Sequence, residues 1–264
     1  MNSVSKNISG NQQPSSDGGT RTTSTRPTVF SRLRYVPVNI KRWGLANCAK
    51  LYLDRIQEIV RERRLGIETK ATVTSQDLGY GPEFNQYEPI HYRCMDIMFE
   101  HLKPDFEQEV FIDFGSGKGR AVIVAGTYPF RKVIGLELSP ELCDVARKNI
   151  QKAKKSLKCT EIEIVRTDAT QYEIPKDVTL ILLYNPFTGD VLSATGEKIL
   201  QFLQRTDRSK VRIVYAHLSE QPNMLSNWKW LKKIADMPMP ETQEYDERQC
   251  QLMWAVYEPS NIAQ

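Results

Sequence analysis

Cysteine and histidine are scarce in this chain. Five cysteines, Cys48, Cys94, Cys143, Cys159 and Cys250, are scattered over 264 residues; no CxxC pair exists, and the histidines are His91, His101 and His217. Such an inventory is expected to hold neither a structural zinc nor a disulfide framework, and it fits a reducing compartment such as the cytoplasm. No stretch approaches the roughly 20 consecutive apolar residues of a membrane span, so none is expected. No G-x-x-x-x-G-K-[ST] string occurs, which excludes a P-loop. Residues 1–30 have few core-forming side chains and a single acid, Asp17. They cannot bury enough apolar surface to offset their ordering entropy and are expected to form a disordered tail. They lack the apolar segment of a secretory signal; their Arg and Ser content resembles an organellar transit peptide, but no amphipathic stripe accompanies it.

What is present is ordinary soluble-protein composition, 40% hydrophobic and 26% charged, in a chain long enough for one α/β domain with a decorated end. The formal charge of +4 is unevenly spread: residues 1–64 carry 12 Lys/Arg against 4 Asp/Glu, and the rest carry 24 against 28. The basic end is suited to nucleic acid, an acidic partner or an anionic surface, or simply to solvent.

After the tail, residues 31–103 read as a helical extension with a covering loop. Leu45, Cys48, Ala49, Tyr52, Ile56, Ile59 and Val60 recur at three- and four-residue spacing and predict a helix over Leu45–Arg64, packed on a larger domain. The loop "DLGYGPEFNQYEPIHY" follows. A second helix runs from near His91 to before Pro104, with Cys94, Ile97, Met98 and Leu102 on one face. Residues 104–260 then alternate strand-like and helix-like segments: "EVFIDF", "KVIGLEL", "IEIVRTDA", "VTLILLYNPF" and "KVRIVYA", with helices at 119–127, 140–154 and about 190–204, then a Trp-bearing stretch and "QCQLMWAVYE". The alternation predicts a doubly wound, mostly parallel sheet of the α/β class, closed by an antiparallel pair at one edge.

The first strand enters its helix through "DFGSGKGR". Gly115 suits a sharp turn, Gly117 lets a ligand approach the backbone, and Gly119 lets the helix sit close. The helix start is expected to offer N–H groups to an anionic or polar ligand. Lys118, inside the loop, points either to a ligand carboxylate or to solvent. At the second strand's end, 24 residues after Asp113, Glu137 can accept hydrogen bonds from both hydroxyls of a ribose. Buried between Leu136 and Leu138 it would be costly without such partners. At the third, Asp168 lies 31 residues further on. It can bind an exocyclic amine, with Ala169 offering its N–H to a ring nitrogen. Three polar groups at successive strand ends lie on the edge where open α/β sheets bind ligands.

"VFIDFGSGKGR", "VIGLELSPEL", "VRTDA" and "LLYNPF" together resemble the successive motifs of class I S-adenosylmethionine-dependent methyltransferases, over roughly Tyr80 to Glu258. The resemblance implies a seven-stranded Rossmann-like sheet and S-adenosyl-L-methionine as cofactor. It implies Asp113, Gly115, Ser116, Gly117 and Gly119 around the cofactor's methionine part, Glu137 at the ribose, and Asp168 with Ala169 at the adenine. "LLYNPF" resembles the family's substrate-side motif, which makes Tyr184 and Asn185 candidate catalytic residues. Phe187 stands where amino-methylating members carry a second proline. Upstream, "NQYEPIHY" adds Tyr87 and Glu88. That loop, together with "GSGKGR" and "NPF", is similar to uncharacterised bacterial methyltransferases and more distantly to Dot1-like lysine methyltransferases.

The resulting expectation is transfer of a methyl group by in-line displacement. The acceptor is a protein amine such as lysine, a nucleic acid or a small molecule, three classes that the sequence leaves open. A nicotinamide oxidoreductase is disfavoured by the G-x-G-x-G spacing, Asp113 and the Asn-Pro-Phe strand end. The alternative is a methyltransferase-like scaffold that binds nucleic acid or a complex through its basic N-terminal arm.

Overall fold

A computed structural model describes residues 36–219, 222–238 and 252–260. The tail predicted over 1–30, and part of the basic arm, lie outside the described residues. Two helices, α1 (Val36–Trp43) and α2 (Leu45–Leu65), precede a long loop and α3 (Tyr92–Leu102). Then come β1 (Val110–Phe114), α4 (Arg120–Gly126), β2 (Lys132–Glu137), α5 (Pro140–Ala153), β3 (Ile162–Arg166), β4 (Leu180–Tyr184), α6 (Gly189–Leu203), β5 (Arg212–Leu218), β6 (Leu231–Asp236) and β7 (Leu252–Pro259).

The seven strands form one sheet in the order β3-β2-β1-β4-β5-β7-β6. The first five strands in sequence pair parallel, and β7 runs antiparallel to both β5 and β6. The antiparallel pairing of β5 with β7 is the edge arrangement that the sequence pattern predicts. The sequence pattern does not mark β6 as a strand. Its "LKKIAD" is largely exposed, so it shows neither an apolar run nor clean alternation, and its pairing to β7 alone makes it a strand.

The central strands are continuous apolar runs because helices cover both faces. Along β1, Phe111 joins the core beneath α3, α4 and α5, while Val110, Ile112 and Phe114 join the core beneath α6. Trp228 and Trp230 stack with centroids 4.9 Å apart against the second core, and Trp254 is buried beside Tyr184. These tryptophans pack against the last strands. His217 is buried and stacked on Tyr215.

The helix α2 reverses its sequence-predicted orientation. Of the expected packing residues Cys48 is buried, yet Leu45, Ile56, Ile59 and Val60 face solvent. The inward face instead carries Leu51, Glu58, Glu62 and Leu65. The cause is Arg120, the last residue of "GSGKGR", which is 2% exposed. Its guanidinium donates to Glu58 Oε2 at 3.0 Å, Glu62 Oε1 at 3.3 Å, the Thr69 hydroxyl at 2.6 Å and the Ile90 carbonyl at 3.0 Å. It also lies 4.6 Å from the centre of the Tyr92 ring. A buried guanidinium must be paired and hydrogen-bonded. That need turns the carboxylates inward and outweighs burial of the aliphatic arc.

Candidate active site

The strand order reverses between β1 and β4, where β1 leads outward to β2 and β3 while β4 leads the other way. A crevice opens at the carboxyl ends of strands at such a switch point. A cleft of about 750 Å³, including its open mouth, lies there and reaches Gly115, Gly117, Glu137, Asp168, Ala169, Tyr184 and Asn185. The loop ahead of α3 forms its other wall through Tyr80, Phe84, Asn85, Tyr87 and Glu88. The structure thus brings together nine of the sequence-predicted residues. Asp113, Ser116 and Gly119 are not among the lining residues.

The glycine loop is held against β2. The N–H groups of Gly115 and Ser116 both donate to the Leu136 carbonyl, at 2.9 and 2.8 Å, and Gly117 N–H donates to Glu137 Oε2 at 2.8 Å. These three N–H groups are therefore already satisfied. Glu137 Oε1 accepts from Ser139 N–H at 2.8 Å. The loop itself offsets the cost of burying this carboxylate, though burial still raises its pKa, opposed by those N–H bonds. Gly117 has φ +55°, and a Cβ there would meet the Tyr87 ring at 2.1 Å. The group that needs this glycine is a side chain of the covering loop. Gly119 likewise makes room for α5, since a Cβ there would lie 3.0 Å from that of Ala146.

Tyr87 anchors the covering loop. Its hydroxyl donates to the Thr69 carbonyl at 2.9 Å, and its backbone pairs with Val73. Lys118 is buried, donates to the Ala71 carbonyl at 2.7 Å and sits 5.2 Å from the centre of the Tyr87 ring. That bond fastens the loop, and the side chain does not face solvent. Burial pushes the phenols of Tyr87 and Tyr184 up. Neither is a proton acceptor near neutral pH.

On the other wall, Asn185 adopts φ +44°, a left-handed conformation that Asn tolerates better than most residues. Its backbone and side-chain oxygens converge on one nitrogen, the Asn85 amide, at 3.0 and 3.1 Å. Phe84 bridges to Phe187 beside it, and the Glu83 carboxylate accepts from Asp190 N–H at 2.8 Å in the first turn of α6. Phe187 thus serves as a pairing position for the loop. Asn85 is invisible to sequence reasoning; an Asn in a polar loop carries no periodic or motif signal, and only the fold sets it opposite Asn185.

The charged residues lining the cleft are Glu88, Glu137 and Asp168, with no cation among them. Asp168 Oδ1 accepts from both the N–H and the hydroxyl of Thr170 at 2.8 Å, leaving Oδ2 for a ligand. Apolar contact comes from Leu138, Leu142, Phe187 and Val191. Carboxylates that accept from hydroxyls and amines, apolar walls for a flat ring and no anion-binding cradle fit a nucleoside with a positive charge. They do not fit a pyrophosphate, which needs free N–H groups or cations.

Asp113 is 4% exposed, and burial first, then the charge of Glu137, raises its pKa to about 8. An unfolded Asp113 ionises near 3.8, so folding retains a proton between about pH 4 and 8. Its contribution to stability is full below that window and is lost as pH rises through it. Wild type is expected to lose stability relative to Asp113→Asn between pH 5 and 8.5 without cofactor. Urea unfolding of the two proteins across that range measures this; parallel profiles would contradict it.

Fold and cleft define the class: this is an S-adenosylmethionine-dependent methyltransferase with a doubly wound sheet. Residues 83–237, more than half of the chain, match the family model described as histone methylation protein DOT1. The chain belongs to that family. No curated protein matches it by sequence. Among solved structures it is similar to an RNA methyltransferase from Salinibacter ruber in complex with S-adenosyl-L-homocysteine, at 21% identity and TM-score 0.47, covering 67% of this chain and 97% of that one. It is also similar to a ribosomal protein L11 methylase from Lactobacillus delbrueckii subsp. bulgaricus, at 13% identity and TM-score 0.49, covering 66% and 81%. Among the described residues no helix is long and apolar enough to cross a membrane, and no cluster of three metal-ligating side chains occurs.

Proposed function

We propose that the chain methylates a primary amine of a protein, a lysine side chain. The observation that carries this reading is the convergence of the two Asn185 oxygens on a single nitrogen. A neutral primary amine that displaces the Asn85 amide from that seat donates its two N–H groups to the two oxygens, and its lone pair is left for the methyl. When bound, S-adenosylmethionine supplies a methyl already activated on a sulfonium, so the protein's work is alignment and exclusion of water. On this reading Glu137 accepts from the ribose hydroxyls, and Asp168 and Ala169 engage the adenine edge. The loop from Gly115 to Gly119 borders the methionine part, and Asp113 acts on its ammonium group from behind the loop. An incoming lysine ammonium must pass a proton to solvent water before its amine reacts. Glu88 supplies the negative charge that draws the cation in, Tyr184 forms the wall, and Tyr87 holds the loop that carries Glu88. The family's description, histone methylation, supports a protein acceptor.

The test is incubation of the protein with radiolabelled methyl donor and cell extract, followed by separation into protein, nucleic acid and small molecules. Label is expected in protein, as N-methyl-lysine after acid hydrolysis, and Asn185→Ala is expected to lower the rate about 100-fold through lost positioning. Label confined to RNA or to small molecules would replace this reading with another acceptor.

A further inference from the structure

The outward face of α2 is apolar and basic at once. Leu45, Leu53, Ile56 and Val60 are 69, 57, 54 and 46% exposed, with Ile59 beside them and Val38 of α1 at 60%. At about 100° per residue the α2 side chains fall within one arc of roughly 120°, opposite the buried Leu51, Glu58 and Glu62. Lys41, Arg63 and Arg64 are exposed around this arc. The acids of the two helices are Asp54, Glu58 and Glu62, and the last two are turned inward to Arg120. Along one flank runs a groove of about 1220 Å³, including its open mouth. Ile56 and Val60 share its lining with Arg64, Lys158 and Arg61, the last of which is paired with Asp96 at 2.6 Å.

We propose that this face docks on an anionic phospholipid surface. Aliphatic side chains enter the boundary between headgroups and acyl chains, while flanking cations meet lipid phosphates. The charge distribution selects this occupant. A second copy of the chain would oppose like-charged faces, which costs energy in a symmetric pair. Nucleic acid would match the cations yet leave the exposed aliphatic arc in water. The inversion of α2 supplies the physical origin: pairing Arg120 with Glu58 and Glu62 removes acids from the surface and places aliphatic side chains on it.

The experiment is co-sedimentation of the full chain with vesicles of phosphatidylcholine alone and of equimolar phosphatidylcholine and phosphatidylglycerol. Binding is expected to the anionic vesicles only, to fall as salt is raised to about 0.5 M, and to weaken at least about tenfold in Ile56→Ser/Val60→Ser. Both positions are exposed, so an unchanged thermal midpoint is expected to show that the variant remains folded. Arg63→Glu/Arg64→Glu provides a second variant that leaves the aliphatic arc in place, and it is expected to weaken binding as well. Protein left in the supernatant with both vesicle types overturns the proposal. So does equal binding to neutral vesicles, or vesicle binding that neither variant alters. A dimer in sedimentation velocity that Ile56→Ser/Val60→Ser dissolves would assign the face to a second copy instead. Displacement from vesicles by a single-stranded RNA that the Ser variant still binds would assign the cations to nucleic acid.

Discussion

Arg120→Met is expected to cost the fold about 3–5 kcal/mol, since it leaves two carboxylates buried without their guanidinium. Glu62 Oε1 would keep the Thr69 N–H and hydroxyl, both at 2.6 Å, and Glu58 Oε1 the Tyr92 N–H at 2.7 Å. Lys70 Nζ, 3.7 Å from Glu62 Oε2, is half-exposed and cannot take over the buried role. The measurement is the urea midpoint at constant m value. The triple variant Arg120→Met/Glu58→Gln/Glu62→Gln is expected to recover part of the loss, because it removes the stranded charges along with the cation. If the single variant unfolds at the wild-type midpoint, this cluster does not hold α2 to the glycine-loop helix. The consequence for the site is direct. Thr69 accepts from Tyr87 through its carbonyl and from Arg120 through its hydroxyl, so loosening this cluster loosens the loop that covers Gly117.

Glu137→Ala is expected to weaken S-adenosylmethionine binding by about 100-fold or more. Each charge-assisted hydrogen bond lost contributes about 1.5–3 kcal/mol, and two ribose hydroxyls are assigned to this carboxylate. The variant also removes the brace on Gly117 and Ser139 N–H, so the glycine loop loses part of its support. Asp168→Ala keeps that brace intact. A smaller loss of about tenfold is expected there, from the adenine contact alone. Calorimetric titration of the cofactor into each variant separates the two effects, and a thermal melt shows whether the loop change spreads to the fold. Unchanged affinity in both variants would remove the proposed cofactor placement.

The motifs at the strand ends were legible in the sequence because each combines a buried run with a residue type that only a ligand or a tight turn requires. Strand, glycine turn and helix recur at regular intervals. Glu137 and Asp168 stand where β2 and β3 end, and the helix boundaries agree with their predicted positions to within a few residues. Asn185 was visible for the same reason, at the end of "LLYN". The convergence of its two oxygens on one nitrogen was not, because that depends on a left-handed backbone and on the loop residue Asn85 facing it.

By itself, then, the sequence determined the doubly wound sheet, the cofactor class and the strand ends that form the cleft. Local periodicity and short-range motifs suffice for the sheet and the strand ends, and the resemblance of those motifs to a known family supplied the cofactor class. Tertiary structure alone decided which face of α2 turns inward, that β7 lies between β5 and β6, and that Tyr87 covers the glycine loop. Each of these turns on partners distant in the chain. Arg120 reaches Glu58 and Glu62 across about sixty positions, and among the described residues β6 pairs with β7 alone. A buried cation can overrule the aliphatic pattern of a helix because leaving it unpaired costs more than exposing a few methyl groups. No count of apolar spacings contains that comparison.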